Sequence, residues 1–212
     1  MTKPPPPSRI PASLRVLAQA ARDWYDDWFN QFILNFLAAL SWMTIILGPP
    51  MLFGYYALAH ELIHGSASGP GDLLRAARKH FWASWQWALI NLAVAVIVLV
   101  NIRFYWQWGR SWSIILASLF FFLGLFWAMI QIYVIPYVMA QKRQSLKLAF
   151  KNATLTFLAA PGYTIVLFLV SIFLLLTSVF FILPLILAGP ALILIIGARA
   201  VQDRLRAFHI IQ

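Results

Sequence analysis

The residues best suited to chemistry in this chain lie in one short stretch, His60-Glu61-Leu62-Ile63-His64. Side chains four residues apart share one face of a helix, so His60 and His64 could hold one Zn²⁺ between them. Glu61 would then act as a general base toward a metal-bound water. The H-E-x-x-H pattern is typical of metalloproteases, some of which are embedded in membranes. A membrane zinc metalloprotease is therefore one function to weigh.

A catalytic zinc normally takes a third protein ligand. Downstream of His64 the candidates for that ligand are Asp72, His80, Asp203 and His209, and none of them lies in a recognisable motif. The histidine pair also falls in the last turn of a predicted helix, just before Gly65, where the helix dipole favours a protonated imidazole. We therefore expect no metal, no other cofactor and no enzymatic activity. The zinc site, with Glu61 as its catalytic residue, is the alternative.

Isolated polar residues interrupt the apolar runs of the sequence, namely Asn35, Asn91, Ser118, Gln131, Ser171, Thr177 and Ser178. We expect most of them to form hydrogen bonds with neighbouring helices, and a path for a substrate is the alternative. The centres of the runs contain no Asp, Glu, Lys or Arg, the residues by which secondary transporters usually couple solute movement to protons. A Gly-rich phosphate loop is also missing from the sequence, which excludes an ATPase within it.

The composition places the chain in a membrane. Hydrophobic residues make up 62% of it and charged residues only 10%, whereas about 25% is usual for a soluble domain. The chain has no cysteine, which excludes thiol catalysis and thiolate metal sites. The formal net charge is +10, and the basic residues flank apolar runs. That arrangement favours contact with anionic lipids over binding to nucleic acid.

The apolar runs predict an all-α bundle of about six membrane spans in three hairpins. The spans cover roughly 29–47, 51–64, 82–104, 112–139, 157–183 and the segment from 191 onward. Gly48-Pro49-Pro50 and Gly189-Pro190 break the first and third hairpins, and we expect both breaks near one membrane surface. The second run is short for a crossing and could be re-entrant. Residues 1–27 form a Pro-rich tail and an interfacial helix, and 28–212 form a single transmembrane domain.

The distribution of positive charge predicts the orientation. In the three-hairpin topology, all of the 16 Lys and Arg residues except Arg103 and Arg110 fall on one side. Positive residues are retained in the cytoplasm, which predicts a plasma-membrane protein with both termini cytoplasmic. Two basic amphipathic stretches on that side precede the third and fifth spans. They supply the candidate contacts to anionic lipid or to a partner protein: Arg75, Arg78, Lys79, Lys142, Arg143, Lys147 and Lys151.

The first part of the chain resembles the YesL-like family of small bacterial membrane proteins. The resemblance rests on Asn35, the run from Thr44 to Pro50, Tyr55-Tyr56, Leu62, Gly65, Asp72-Leu73, Ala76 and Phe81. It covers about Asn35 to Ala88 and is only hydropathic beyond. It implies a polytopic protein of the bacterial inner membrane, often encoded near genes for carbohydrate uptake or degradation. The chain departs from the family pattern at His64, where a Lys or Arg is usual, and His60-Glu61 lie outside that pattern.

Charge, hydropathy and resemblance together predict a non-enzymatic membrane component. We expect an accessory or small-solute transport component that works with a separate permease, and carbohydrates are one candidate class of solute. A scaffold that only holds partners on its basic face and the zinc metalloprotease are the two alternatives.

Overall fold

A computed structural model describes residues 11–42, 44–66, 69–181 and 188–208. Within these ranges the chain is helical and contains no strand. The helices are α1 (Ala12–Asp26), α2 (Trp28–Trp42), α3 (Gly48–Leu62), α4 (Pro70–Lys79), α5 (Phe81–Gln107), α6 (Ser111–Ala140), α7 (Leu146–Ala159), α8 (Pro161–Phe180) and α9 (Gly189–Ala207). The all-α prediction is confirmed for the described part of the chain.

Three helices, α5, α6 and α8, are long and apolar enough to cross a membrane. The exposed surfaces of these helices are apolar as well. Only Ser84 of α5 is buried, so the apolar side chains of that helix face outward, and Phe121, Phe122 and Leu169 are exposed on α6 and α8. An apolar exterior of this extent suits a lipid environment. Helices α2 and α3 have 15 residues each, or about 22 Å, and α9 becomes charged from Arg199 onward. The structure therefore supports three crossings of the six that the sequence predicts.

Two of the predicted spans have wrong boundaries. The first was expected to reach Leu47, but α2 ends at Trp42 and a turn follows, in which the Thr44 carbonyl accepts from the Leu47 and Gly48 amides. The fifth was expected to begin near residue 157, but α7 continues to Ala159 and α8 begins at Pro161. A proline cannot continue the hydrogen-bond ladder, and it forces the preceding residue out of helical geometry. The expected end of that span at 183 lies outside the described residues.

The charged segments meet at one end of the bundle, which we call the charged end. Arg15 of α1 pairs with Asp203 of α9 at 2.9 Å, and the Arg204 guanidinium lies 4.1 Å from the centre of the Tyr163 ring at the start of α8. A hydrogen bond joins His80, between α4 and α5, to Gln144, between α6 and α7. The three-hairpin topology predicts this common end.

Helices α3 and α9 run parallel and in register. Each helix begins with Gly-Pro, and the eighth residue after that glycine, Tyr56 in α3 and Gly197 in α9, lies at their contact. A Cβ added to Gly197 would be 3.3 Å from Tyr56 Cε1 and 2.9 Å from the Ile132 carbonyl oxygen of α6. Gly189 therefore lies about 12 Å farther from the charged end than this contact. That depth is about halfway along α6. Relative to α6, this position disfavours the expectation that both breaks lie near a membrane surface. The reason is length, since α3 is half as long as α6 and the apolar part of α9, which ends before Arg199, is about a third as long.

Candidate functional site

The H-E-x-x-H residues lie at the end of α3, where they face α9. The rings of His60 and His64 are 4.5 Å apart between centroids, and both line a cavity of about 150 Å³ with Ala140, Val201 and Gln202. His64 Nδ1 lies 2.6 Å from the His60 carbonyl oxygen. If His64 carries its proton on Nδ1, it donates that proton to the His60 carbonyl oxygen, and Nε2 of His64 is then left to bind a ligand. The helical spacing thus brings the two predicted metal ligands together, with Glu61 exposed beside them.

The structure does not bring a third metal ligand to the pair. No group of three or more His, Asp or Glu residues that could hold a metal forms within the described ranges. Asp72 instead accepts from the Gly69 amide at 3.0 Å and pairs with Arg75 at 2.9 Å. Asp203 pairs with Arg15 and Arg204. The remaining candidate, His209, lies outside the described residues.

His80, another candidate ligand, is a buried structural residue. It is 3% exposed and packs 6.5 Å from the Phe53 ring, between centroids. Burial lowers the pKa of His80, nearby Lys79 lowers it further, and the hydrogen bond with Gln144 opposes both. Its Nδ1 has no partner among the described residues. His80 is therefore held as a neutral ring.

Asn35 is the polar centre that joins α2, α3 and α9. It is fully buried, and its Oδ1 accepts from the Tyr55 hydroxyl and from the Ala191 amide, both at 3.0 Å. The same hydroxyl lies 3.0 Å from Gln31 Oε1. Ala191 is the third residue of α9, so Asn35 satisfies one of the donors that a helix start leaves open.

The start of α3 likewise offers few donors to a ligand. Pro49 and Pro50 have no amide hydrogen, and the Gly48 and Met51 amides donate to the Thr44 and Leu47 carbonyls. Discontinuous helices in transporters often point open amides at an anionic substrate. The two Gly-Pro starts here are instead occupied by internal hydrogen bonds.

A wide opening in the described part of the bundle lies beside these helix starts. Two adjoining cavities of about 340 Å³ and about 350 Å³ share Leu52, Leu175, Ile193 and Leu194 as walls. We call them together the lateral cavity, because exposed Leu175 and Val179 form its rim at the side of the bundle. Pockets for small molecules usually have about 300–1,000 Å³.

Three polar atoms in the wall of the lateral cavity are buried without a hydrogen-bond partner among the described residues. They are Gln131 Nε2, Ser171 Oγ and Ser178 Oγ. Gln131 is fixed in place, since its Oε1 accepts from the Trp87 indole at 3.0 Å. An unsatisfied buried donor costs about 1–3 kcal/mol. Each atom is closed to solvent in this structure, so a ligand with acceptor atoms on an apolar body would satisfy these groups only after the side chains turn toward the cavity.

The predicted role of the intramembrane polar residues is confirmed for three of them. Asn35 bonds to α3 and α9, Gln131 to α5, and Asn91 Oδ1 accepts from the Trp127 indole at 2.9 Å. Thr177 donates within its own helix, to the Phe173 carbonyl. Ser171 and Ser178 are the two that face the lateral cavity instead.

The basic residues singled out from the sequence lie on two exposed surfaces. Arg75, Arg78 and Lys79 are exposed on α4, and Lys142, Arg143, Lys147 and Lys151 are exposed on or just before α7. Buried Leu73 and Ala77 fix the opposite face of α4 against α3. Both surfaces are open to a lipid headgroup or to another protein.

Sequence reasoning missed the walls of the lateral cavity. Leu52, Ile193 and Leu194 are ordinary apolar residues of apolar segments, and no signal in the sequence separates them from residues that face lipid. The pair Asp23–Arg199, with contacts of 2.5 and 2.7 Å, was also missed. The available signal was Arg199, which follows directly on the apolar part of α9 and needs an anionic partner there.

No protein-family model, curated protein or solved structure matches this chain.

Proposed function

We propose that this chain is a non-enzymatic component of a bacterial inner membrane that binds an amphiphilic solute in the lateral cavity and assists its transport. The observation that carries the proposal is the lateral cavity itself, whose wall is mainly apolar and includes the polar residues Gln131, Ser171 and Ser178. A sugar carries a hydroxyl on most of its carbons, and each would need a partner when buried. The cavity therefore favours a mostly apolar solute over the carbohydrate that the YesL-like resemblance suggests.

Photolabelling tests this proposal with a defined probe. A diazirine-bearing hexadecanoic acid is added to membranes that contain the protein, and the labelled peptides are identified by mass spectrometry. We expect saturable labelling of α8 and α9 at the cavity wall. Leu194→Trp, at the wall shared by both halves of the cavity, should reduce this labelling at least fivefold.

The matched control is Leu169→Trp, which adds the same side chain on the exposed surface of α8. In this variant the probe should label the cavity wall to the same extent as in the unsubstituted protein. Equal labelling of all three proteins, or labelling that never saturates, would show general contact with the bilayer and would refute the proposed site.

The second part of the proposal is placement. We propose that all six segments enter the membrane, with α2, α3 and α9 spanning only part of it, and that the charged end and both termini are cytoplasmic. Because the chain has no cysteine, Ser145→Cys and Ser111→Cys can be labelled individually in intact cells. An impermeant thiol reagent should reach position 111 only, and labelling at 145 alone would reverse the orientation.

The third part concerns a partner protein. The span centres lack charge, so solute coupling to protons by this chain alone is disfavoured. We propose that the basic surfaces of α4 and α7 contact anionic lipids and a separate permease. Reversing Arg75, Arg78 and Lys79 to Glu should reduce recovery of a co-purifying membrane protein. Reversing Arg103 and Arg110, at the opposite end, should not.

The zinc metalloprotease remains the alternative function, built on His60, Glu61 and His64. No described residue adds the third ligand that this function needs. Its test is the metal content of the purified protein, discussed below.

A further inference from the structure

A pocket at the charged end is lined mainly by guanidinium groups. It has about 220 Å³ and lies between α1 and the end of α9. Its wall contains Arg15, Arg199, Arg204 and Arg206 together with Gln19, Gln202 and one carboxylate, that of Asp203. These residues come from both ends of the sequence. The pocket is separate from the lateral cavity and shares no lining residue with it.

The ion pairs around the pocket leave positive charge in excess. Asp23 binds Arg199 with both carboxylate oxygens, and Asp203 is shared between Arg15 and Arg204. Four arginines thus meet two aspartates. Arg206 is exposed and makes no ion pair with the described residues. An anion that entered the pocket would meet an unbalanced field rather than a neutral salt-bridge network.

The guanidinium groups are held in place before any ligand arrives. The side chains of Arg199 and Arg204 are only 17% and 15% exposed. Arg204 also lies over the Tyr163 ring at 4.1 Å, and Gln202 accepts from Arg199 at 2.9 Å. The Nε and Nη2 donors of both arginines already bind Asp23 and Asp203, so a phosphate group would use the guanidinium donors that remain around the pocket, those of Arg206 among them. Preorganisation of this kind lowers the entropic cost of binding.

The position of the pocket fits the depth of lipid headgroups. Its wall begins where the apolar part of α9 ends, and α1 beside it exposes Leu14 and Tyr25. Basic pockets between membrane helices commonly bind anionic headgroups. We propose that this pocket is a binding site for a phosphate group, carried by an anionic lipid or by a small soluble phosphate ester.

Thermal unfolding of the full chain in a neutral detergent, at constant ionic strength, tests the site with three probes. The probes are dihexanoyl phosphatidic acid, glycerol 3-phosphate and dihexanoylglycerol. We expect the phosphatidic acid to raise the unfolding temperature saturably, and dihexanoylglycerol to have no such effect. A response to glycerol 3-phosphate as well identifies the phosphate alone as sufficient. A response to phosphatidic acid only identifies the lipid headgroup as the ligand.

Variants decide whether the pocket is responsible. Arg206→Gln should weaken the binding of phosphatidic acid about tenfold, which is the usual effect of losing one charge-assisted contact. Arg110→Gln, which removes an equal charge from an exposed position at the opposite end of the bundle, should leave the affinity unchanged. Gln19→Trp keeps every charge and fills the pocket, so it should abolish the response.

Three results would overturn the site: an equal effect of dihexanoylglycerol, equal weakening by Arg206→Gln and Arg110→Gln, or full binding by Gln19→Trp. Each would show that the probe acts through its chains or through diffuse surface charge.

Discussion

Tyr56 and Gly197 form the contact that sets α3 against α9, because only a residue without a side chain leaves room for the Tyr56 ring beside the Ile132 carbonyl. Both residues stand eight positions after the glycine of a Gly-Pro helix start. The contact therefore fixes the two helices in register and holds their starts at the same depth in the bundle. The lateral cavity lies beside those starts.

Replacing Gly197 should loosen this arrangement. The new Cβ of Gly197→Ala would lie 2.9 Å from a backbone oxygen and 3.2 Å from Pro136 Cγ, so the backbone must shift. Overpacking of this kind costs about 1–3 kcal/mol. We expect a lower unfolding temperature in detergent, measured by tryptophan fluorescence. Gly162→Ala, with nothing within 4 Å of the added atom, is the control, and an equal loss in both variants would contradict the packing described.

Removing the Asn35 side chain should cost more than removing one of its partners. Asn35→Ala leaves the Ala191 amide without its acceptor, and an unsatisfied buried donor costs about 1–3 kcal/mol. The Tyr55 hydroxyl loses one acceptor and keeps Gln31 Oε1. Tyr55→Phe removes one donor together with its need for a partner, so it should be milder. The unfolding temperatures of the two variants and of their combination measure this difference. A larger loss in Tyr55→Phe than in Asn35→Ala would argue against Asn35 as the centre of the network.

The sequence predicts the helices well and their depth poorly. Hydropathy and the turn at Gly109 locate the ends of α5 and α6 to within three residues, because an apolar run bounded by turn residues has few other structures. The break at Ala160 was missed, since Pro161 was read as lying inside a span. The short length of α3 was visible in its apolar run, but the level of α3 and α9 in the bundle was not, because it depends on where Tyr56 meets Gly197. The lateral cavity was unpredictable for the same reason, as Leu52 and Leu194 approach each other only in the folded bundle.

The buried His80 makes stability depend on pH. Burial and nearby Lys79 lower the pKa of His80 in the folded chain. In the unfolded chain the pKa of a histidine is about 6.5, so below that pH the unfolded chain protonates His80 more readily than the folded chain does. The contribution of His80 to stability is present above that value and is lost as the pH falls through the lower folded-state pKa. We expect the unfolding temperature to decline from pH 7 toward pH 5, and less steeply in His80→Gln. An unchanged slope in His80→Gln would contradict this role.

Purified protein should contain no stoichiometric zinc, since His60 and His64 stand without a third ligand among the described residues. Elemental analysis after mild purification without chelators measures the content directly. About one zinc per chain that disappears in the His60→Ala, His64→Ala double variant would reverse the order of the two proposed functions. Zinc that persists in the double variant would instead indicate adventitious binding elsewhere.

We propose that the start of α9 lies about halfway through the hydrocarbon layer of the membrane. At that depth the lateral cavity would receive a mostly apolar solute. Fluorescence quenching in vesicles measures this depth. Single cysteines at Ala188, Ser111 and Ser145 each carry a fluorophore, and the lipids carry a nitroxide quencher either at the headgroup or deep in the acyl chain. We predict that the label at 188 is quenched most by the deep nitroxide and that the labels at 111 and 145 are quenched most by the headgroup nitroxide. Strongest quenching of the label at 188 by the headgroup nitroxide would place the helix start at the surface and contradict the account.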